Sequence, residues 1–199
     1  MRVLIVGPQG AGKGTQAALL CDNLKIPHIS TGDIFRANVT AGTDLGVLAK
    51  KYMDAGDLVP DEVTSAMVKA RLEESDTDGG FLLDGFPRTV PQAEWLGGVL
   101  HENNHDLDAV LLLEAPDEVL MERMLARGRA DDTADAISRR LALYHSETTP
   151  LLEHYAKVLV AIDGVGPVEE VQQRALEALN SKLGSSDVTE GDPEQSASA

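Results

Sequence analysis

The sequence predicts a doubly wound α/β fold, in which a parallel sheet carries helices on both faces. Short apolar runs of strand length occur at residues 3–6, 81–83, 109–113 and 158–162, and amphipathic segments separate them. Strands buried on both faces are typically continuous apolar runs, as these four are. Strand and helix patterns that alternate along a chain indicate a parallel sheet with crossover helices.

The helical segments share apolar residues at helical spacing. They are predicted at residues 14–23, at two places within 34–55, and at 62–74, 91–102, 118–127, 134–145 and 168–182. Residues 184–199 carry four acids, no base and no apolar periodicity. We therefore predict one folded domain over residues 1–183 and a disordered acidic tail over 184–199, whose removal leaves folding and activity unchanged.

Charge and cysteine content exclude several functional classes. The 199 residues include 17 Lys and Arg against 33 Asp and Glu, for a net charge of −16. This is the wrong sign for wrapping nucleic acid or binding anionic membranes, so we expect neither partner. A single cysteine, Cys21, allows no internal disulfide and no cysteine-based zinc site. With no long apolar run and no export signal, we expect a soluble cytoplasmic protein.

The stretch GPQGAGKGT (residues 7–15, the phosphate loop) directly follows the first strand and precedes a helix. Glycines let successive backbone N–H groups converge on phosphate oxygens, and the helix N-terminus adds positive potential. Lys13 supplies a full charge, while the hydroxyl stands one position later than usual, at Thr15. Strand, glycines, lysine and helix together predict a phosphate-binding site.

Four further stretches accompany the phosphate loop in order: HISTGDIFR, FLLDGFPRT, MERMLARGRADD and ISRRLALYHSETTPLLEHY. With them, residues 1–182 resemble the adenylate kinase family. The resemblance implies a P-loop fold with a five-stranded parallel sheet, a helical AMP-binding insertion (residues 30–59, the helical insertion) and a short lid (residues 127–132). It also implies a monomer that uses Mg²⁺ without zinc to transfer phosphoryl reversibly from ATP to AMP, giving two ADP, with both segments closing over the nucleotides.

The resemblance also assigns residue roles. On the ATP side it implies Gly10, Ala11, Gly12, Lys13, Gly14, Thr15, Arg123, Arg127 and Gly166. On the AMP side it implies Thr31, Arg36, Asp57, Leu58, Val59, Gly85, Arg88, Gln92, Arg129 and Arg140. The implied catalytic residues are Lys13, Arg88, Arg123, Arg129 and Arg140. Asp84, through water, and Thr15 are the implied metal residues.

The arginines also stand out on physical grounds. In a strongly acidic chain, a group of them falls in or beside the matched stretches: Arg36, Arg88, Arg123, Arg127, Arg129 and Arg140. The guanidinium group keeps its charge and binds phosphate through two parallel hydrogen bonds. Phosphoryl transfer requires aligned nucleotides and neutralised phosphate charge, which such groups supply.

Four departures from common family forms occur. Pro8 and Gln9 stand where many members have a small residue and then proline, which we expect to change loop stiffness but not binding. The lid is short. Ser138 replaces a frequent arginine and Gly166 a frequent lysine, which removes minor phosphate or ribose contacts.

Two alternatives remain open. One is a UMP or CMP kinase of the same fold, and the other is a module that senses ATP without transferring phosphate. Against the first, Thr31 and Gln92 offer a hydroxyl and an amide suited to a purine edge. Against the second, Arg88, Arg129 and Arg140 provide more charge than ATP retention needs. The sequence therefore favours adenylate kinase activity.

Overall fold

The computed structural model describes residues 1–186 and contains one sheet of five parallel strands. The strands are β1 (Arg2–Val6), β2 (His28–Ser30), β3 (Phe81–Asp84), β4 (Ala109–Glu114) and β5 (Leu159–Asp163). Their order across the sheet is β2, β3, β1, β4, β5. The five-stranded parallel sheet confirms the predicted fold class. The strand at His28–Ser30 was not located from sequence, because three residues are too few to show a periodicity.

Nine helices surround the sheet within the described residues. They are α1 (Lys13–Leu24), α2 (Thr31–Ala41), α3 (Asp44–Ala55), α4 (Asp61–Leu72), α5 (Val90–Glu102), α6 (Asp117–Arg127), α7 (Ala134–Leu143), α8 (Leu151–His154) and α9 (Val168–Ser186). A 3₁₀ turn spans Ser75–Thr77 and a π-helical turn spans Tyr144–Thr148. None of these helices combines the length and apolar character needed to cross a bilayer.

Alternate residues of the central strand divide the core into two layers, because successive strand side chains point to opposite faces. Val3 and Ile5 pack with α1, α6, α7 and α9 on one face. Leu4 and Val6 pack with α4, α5 and α8 on the other. The sheet is thus covered on both sides, which explains why β1, β3 and β4 contain continuous apolar runs.

Two predicted boundaries differ from the structure. Helix α7 ends at Leu143, and the chain continues in the π-helical turn over two residues that were predicted to be regular helix. Helix α9 continues to Ser186, so the first three residues of the predicted tail are helical. The remainder of that tail, residues 187–199, lies outside the described residues.

The helical insertion leaves the sheet at the carboxyl end of β2. Its helices α2 and α3 are capped by the side chains of Ser30 and Thr43, which accept hydrogen bonds from Asp33 N and Gly46 N. Phe35 and Ala49 form a small separate core with Val59. The insertion therefore has packing of its own and is not part of the two layers that cover the sheet.

Candidate active site

The phosphate loop lies at the carboxyl edge of the sheet, where β1 passes into α1. This is where parallel α/β sheets bind ligands, in the crevice beside the strand ends. At Gly7 the backbone has φ +138°, and an added Cβ would stand 2.2 Å from the carbonyl oxygen of Leu113 in β4. Only glycine fits this position, so the loop is pressed against the neighbouring strand and its path is fixed by the core.

Lys13 folds back over the loop that precedes it. Its Nζ donates hydrogen bonds to the carbonyl oxygens of Gly7 and Pro8, each 2.8 Å long. Burial is the main reason that the pKa of Lys13 is lowered to about 8. The negative charge of Asp84 opposes this shift, and the positive charge of Arg88 lowers the pKa further. The ammonium group is therefore held in place, and it lies near the Asp84 carboxylate and the guanidinium groups of Arg88, Arg127 and Arg129.

Asp84 ends β3 beside the start of α1, and it is almost fully buried. An added Cβ on Gly14 would lie 3.6 Å from its Oδ2, and His28 Nε2 lies 3.7 Å from the same oxygen. Thr31 donates a hydrogen bond from its hydroxyl to the Asp84 carbonyl oxygen, 3.3 Å away. One carboxylate beside a phosphate loop suits Mg²⁺, which keeps most of its ligands as water and phosphate. Within residues 1–186 no three His, Cys, Asp or Glu side chains form a metal cluster.

A cleft of about 760 Å³ opens above the phosphate loop, and we call it the central cleft. The structure brings all of the predicted ATP-side residues to its walls: Gly10, Ala11, Gly12, Lys13, Gly14, Thr15, Arg123, Arg127 and Gly166. Asp84, Arg36, Arg88 and Arg129 line it as well. Its volume falls within the range of small-molecule sites, about 300–1,000 Å³. That these residues bind ATP remains a prediction.

Arg123 connects the phosphate loop to the loop after β5. Both of its terminal nitrogens donate to the carbonyl oxygen of Gly164 at 3.0 Å, and Nη1 also approaches the carbonyl oxygens of Gly10 and Ala11 at 3.5 and 3.4 Å. Gly164 was not predicted, because it contributes only a backbone carbonyl, which no side-chain pattern can mark. The guanidinium is thereby oriented along one wall of the cleft.

A second, narrower cavity lies between the helical insertion and the sheet, and we call it the insertion cavity. All of the predicted AMP-side residues line it: Thr31, Arg36, Asp57, Leu58, Val59, Gly85, Arg88, Gln92, Arg129 and Arg140. Its volume of about 70 Å³ is well below that of a nucleotide site. The insertion must therefore shift before a nucleoside monophosphate fits there, and the binding role of these residues stays a prediction.

The amide of Gln92 is held in one orientation at the base of the insertion cavity. Its Oε1 accepts a 2.7 Å hydrogen bond from the backbone N–H of Arg88, and its Nε2 donates to Asp61 Oδ1 at 2.6 Å. The other oxygen of Asp61 accepts from the Thr89 hydroxyl at 2.8 Å. Asp61 was not predicted, since nothing in the sequence relates a residue at the start of α4 to one in α5. The Arg88 side chain is fixed too, by a 2.9 Å bond from Nε to the Gly85 carbonyl oxygen.

Ion pairs join the short lid to α6 and α7. Arg127 donates from Nε and Nη2 to the two oxygens of Asp132, at 2.9 and 2.8 Å. Arg140, which is buried, donates to Asp132 at 3.1 Å, to Asp131, and to the carbonyl oxygen of Met53 at 2.8 Å. Burial would raise the pKa of Asp132, but its bonds to Arg127 outweigh this and lower it. Two of the arginines that were predicted to bind phosphate, Arg127 and Arg140, are thus already paired with carboxylates. The sequence did not reveal that Asp131 and Asp132 are their partners.

Arg129 differs from its neighbours in the lid. Within residues 1–186, its side chain takes part in no hydrogen bond or ion pair, and it lines both the central cleft and the insertion cavity. Burial lowers its pKa, and the positive charges of Arg36 and Arg127 lower it further. Arg36 across the cavity is paired with Asp33. Burial would raise the pKa of Asp33, but its hydrogen bond with Arg36 outweighs this, so the pKa is lowered. Arg129 is therefore a cation directed toward space that an anion can enter.

The helical insertion is docked on α7. Asp57 forms an ion pair with Arg139, and Arg140 reaches the carbonyl oxygen of Met53. Between them Gly56, at φ +78°, lies so close to α7 that an added Cβ would stand 2.7 Å from the Ala136 carbonyl oxygen. These contacts hold the insertion against the lid side of the molecule and account for the narrowness of its cavity.

Comparison with known proteins gives a consistent result. A model of the family described as adenylate kinase matches residues 5–160, which include the phosphate loop, the helical insertion and the short lid. A protein of Nocardia farcinica named adenylate kinase is 58% identical over 179 residues, which cover 90% of this chain and 99% of that protein. Proteins of the same name from Rhodococcus erythropolis and Corynebacterium glutamicum are 56% and 55% identical over the same lengths.

Proposed function

Because the chain belongs to the adenylate kinase family, we propose that it transfers the terminal phosphoryl group of ATP to AMP, reversibly, and releases two molecules of ADP. The observation that carries the proposal is that two cavities with different linings meet at one place. The phosphate loop lines the central cleft, the helical insertion lines the insertion cavity, and Arg88 borders both. A protein that only retained ATP would need the first cavity alone.

The residues around the meeting point perform two tasks, alignment and charge neutralisation. ATP phosphates in the phosphate loop lie against backbone N–H groups and Lys13, while Arg123 orients the nucleotide from the side of Gly164. AMP enters beside Thr31 and Gln92, so that its phosphate faces Arg88. Transfer in line between two fixed phosphates needs little covalent help from protein. Arg88 and Arg129 then neutralise charge as it moves.

The residues present also fit a magnesium ion. Asp84, with Thr15 close by in the first turn of α1, would hold Mg²⁺ mainly through its water ligands. When bound, the ion would neutralise charge on the ATP phosphates. Asp84 itself has no geometry for a general base toward AMP, because it lies on the phosphate-loop side with His28 and Gly14.

Closure would protect the reaction from water. The helical insertion and the short lid both lie outside the sheet, so they can move at little cost to the core. A dry site prevents hydrolysis of ATP and strengthens the arginine contacts, since a lower dielectric raises every charge interaction.

The protein would act as a cytoplasmic monomer. In support, the lone cysteine is reduced and buried in α1, as suits a reducing compartment, and a monomer is what the resemblance to the family implies. The net charge of −16 disfavours nucleic acid and anionic membranes as partners. Light scattering behind size-exclusion chromatography measures the mass of the particle, and activity that requires a dimer would contradict this part of the proposal.

A coupled assay tests the proposed reaction. Purified protein is given ATP, Mg²⁺ and one nucleoside monophosphate at a time, and ADP formation is followed. We expect turnover with AMP to exceed turnover with UMP or CMP, because the fixed Gln92 amide presents a polar surface to the base. A preference for UMP or CMP would contradict the acceptor, and absence of transfer to any acceptor would contradict the reaction class.

A further inference from the structure

Gln9 lies where all cavities of the site meet. A third cavity of about 50 Å³ lies between the phosphate loop and the π-helical turn, and we call it the junction cavity. Among residues 1–186, only three line the central, insertion and junction cavities together: Gln9, Gly85 and Arg88. Gly85 has no side chain, so Gln9 and Arg88 are the two side chains at this point. Gln9 is also the sole residue of the phosphate loop that lines the insertion cavity.

The carboxamide of Gln9 is available for a ligand. Within residues 1–186 it has no hydrogen-bond partner, whereas the amide of Gln92 on the opposite side is bonded at both ends. The backbone just before Gln9 is fixed, because Lys13 binds the carbonyl oxygens of Gly7 and Pro8. A half-buried amide on a fixed backbone, with two free N–H donors, is suited to binding an anion that arrives later.

We propose that Gln9 is a further catalytic residue of this site, and that its side-chain N–H donates a hydrogen bond to a non-bridging oxygen of the phosphoryl group during transfer. The inference rests on the proposed function. In the step, the bond from the γ phosphorus to the β–γ bridging oxygen of ATP breaks. A bond from that phosphorus to an AMP phosphate oxygen forms, and Gln9 neither gains nor loses a proton.

A neutral donor suits this position for an electrostatic reason. Lys13, Arg88 and Arg140 already border the junction cavity. Burial lowers the pKa of Lys13 and of Arg88, and neighbouring arginines lower both further. Another cation at this point would be repelled by these groups. An amide adds a hydrogen bond to the moving group without that cost, and it exerts its effect where charge is redistributed.

Two substitutions separate a catalytic role from a structural one. Gln9→Met keeps the length of the side chain and removes the donor, and Gln9→Glu keeps its shape and replaces the donor by a negative charge. We expect kcat to fall about ten- to hundredfold in Gln9→Met and further in Gln9→Glu, since a hydrogen bond to a charged group is lost. KM for ATP and for AMP should change less than about twofold, because the contact is strongest during transfer.

The outcomes are decisive in both directions. The inference is overturned if kcat of Gln9→Met stays within twofold of that of the unsubstituted protein. It is also overturned if the fall in kcat is matched by a higher KM for ATP and a lower Tm, because these would indicate that Gln9 only packs the loop. If Gln9→Met does not fold, Gln9→Glu is judged by the same criteria. Failure of the proposed function would appear differently, as absent AMP-dependent ADP formation in the unsubstituted protein.

Discussion

The two sides of the site are built by different means. On the phosphate-loop side, the backbone does the positioning: β1 lies at the centre of the sheet, and Gly7 presses against the carbonyl of Leu113. On the insertion side, side-chain ion pairs between separate elements do it, with Arg139 bound to Asp57 and Arg140 bound to both lid aspartates. One side depends on the core and the other on ion pairs between separate elements, which are half-exposed at Arg139 and buried at Arg140.

This difference indicates how each side responds to its ligand. The central cleft has a volume suited to a nucleotide before any ligand arrives, whereas the insertion cavity holds only about 70 Å³. The half-exposed pair of Arg139 with Asp57 contributes little free energy, commonly below about 1 kcal/mol, whereas the pairs of Arg140 are buried and its guanidinium can leave the aspartates only for another anion. We therefore expect the phosphate-loop side to bind with little rearrangement and the insertion side to move.

The largest effect is expected from removing the charge on the pre-formed side. Lys13→Met should lower kcat by about a thousandfold or more while the fold persists, because it removes the only full charge of the phosphate loop. Lys69→Met, an exposed lysine on α4, serves as the matched control and should keep full activity. Steady-state kinetics and circular dichroism measure both properties. Near-normal turnover in Lys13→Met would mean that the loop does not hold the reacting phosphates.

Closure should be visible on the insertion side. A bisubstrate analogue, two adenosines joined through a phosphate chain, should slow amide hydrogen exchange about ten- to hundredfold in the helical insertion and in the short lid. The insertion should show the larger change, because the lid is only a few residues long. Mass spectrometry with and without the analogue measures this. Protection confined to the region around Lys13 would contradict two-site closure and favour an ATP-sensing module.

The pKa of Lys13 predicts a pH dependence of ATP binding. In the free protein this pKa is about 8, and bound phosphates raise it because they favour the charged form. ATP affinity should therefore be constant below about pH 8 and decrease above it. The decrease should approach about tenfold per pH unit, because binding then requires Lys13 to take up a proton. Calorimetry from pH 7 to pH 9.5 measures the slope. Lys13→Arg, which stays charged, should show none, and equal slopes in both proteins would refute the assignment.

A smaller effect is expected from loosening the insertion. Arg139→Gln removes the ion pair with Asp57, so amide exchange in the helical insertion should quicken about two- to fivefold, in keeping with a pair worth less than about 1 kcal/mol. The matched control is Arg71→Gln, which breaks a comparable pair with Asp76 away from the site. It should leave exchange in the insertion unchanged. An equal effect of the two variants would show that the Arg139 pair has no specific role in docking.

The smallest effect is expected at the C-terminus. The five strands of the sheet and the residues that line the central cleft and the insertion cavity lie within residues 1–186. A protein that ends at Ser186 should therefore keep its kcat, and its Tm should change by less than about 2 °C. Differential scanning calorimetry and the coupled assay test this together. A twofold loss of activity would reveal a contact between residues 187–199 and the rest of the chain.

Features set by local sequence were predictable. The phosphate loop is a run of neighbouring residues, so its glycines and Lys13 could be recognised directly, and the apolar runs located four of the five strands. The strand His28–Ser30 was missed because it is short and ends in polar residues. The end of α7 was misplaced because nothing local marks the change from an α-helix to the π-helical turn after Leu143.

Features set by tertiary placement were not predictable. Asp61 holds Gln92 from another helix, and Arg139 meets Asp57 across 82 positions of the chain. Pattern and spacing carry no information about such pairs, because nothing in the segment around either partner marks it as paired with a residue of another helix. Gln9 was noted only as a departure from a common proline, and its position between three cavities became visible only in the structure.

The pairing of Arg127 and Arg140 with the lid aspartates has a consequence for anion selectivity. Asp131 and Asp132 compete with phosphate for these guanidinium groups, because a phosphate that binds there must displace a carboxylate already bonded to them. Free inorganic phosphate or sulfate has no other contact with which to compensate for that exchange. A nucleotide does, through its base and ribose. We therefore expect the lid to discriminate against the small anions that surround the protein, and we expect its carboxylates to bind the arginines again as each product leaves.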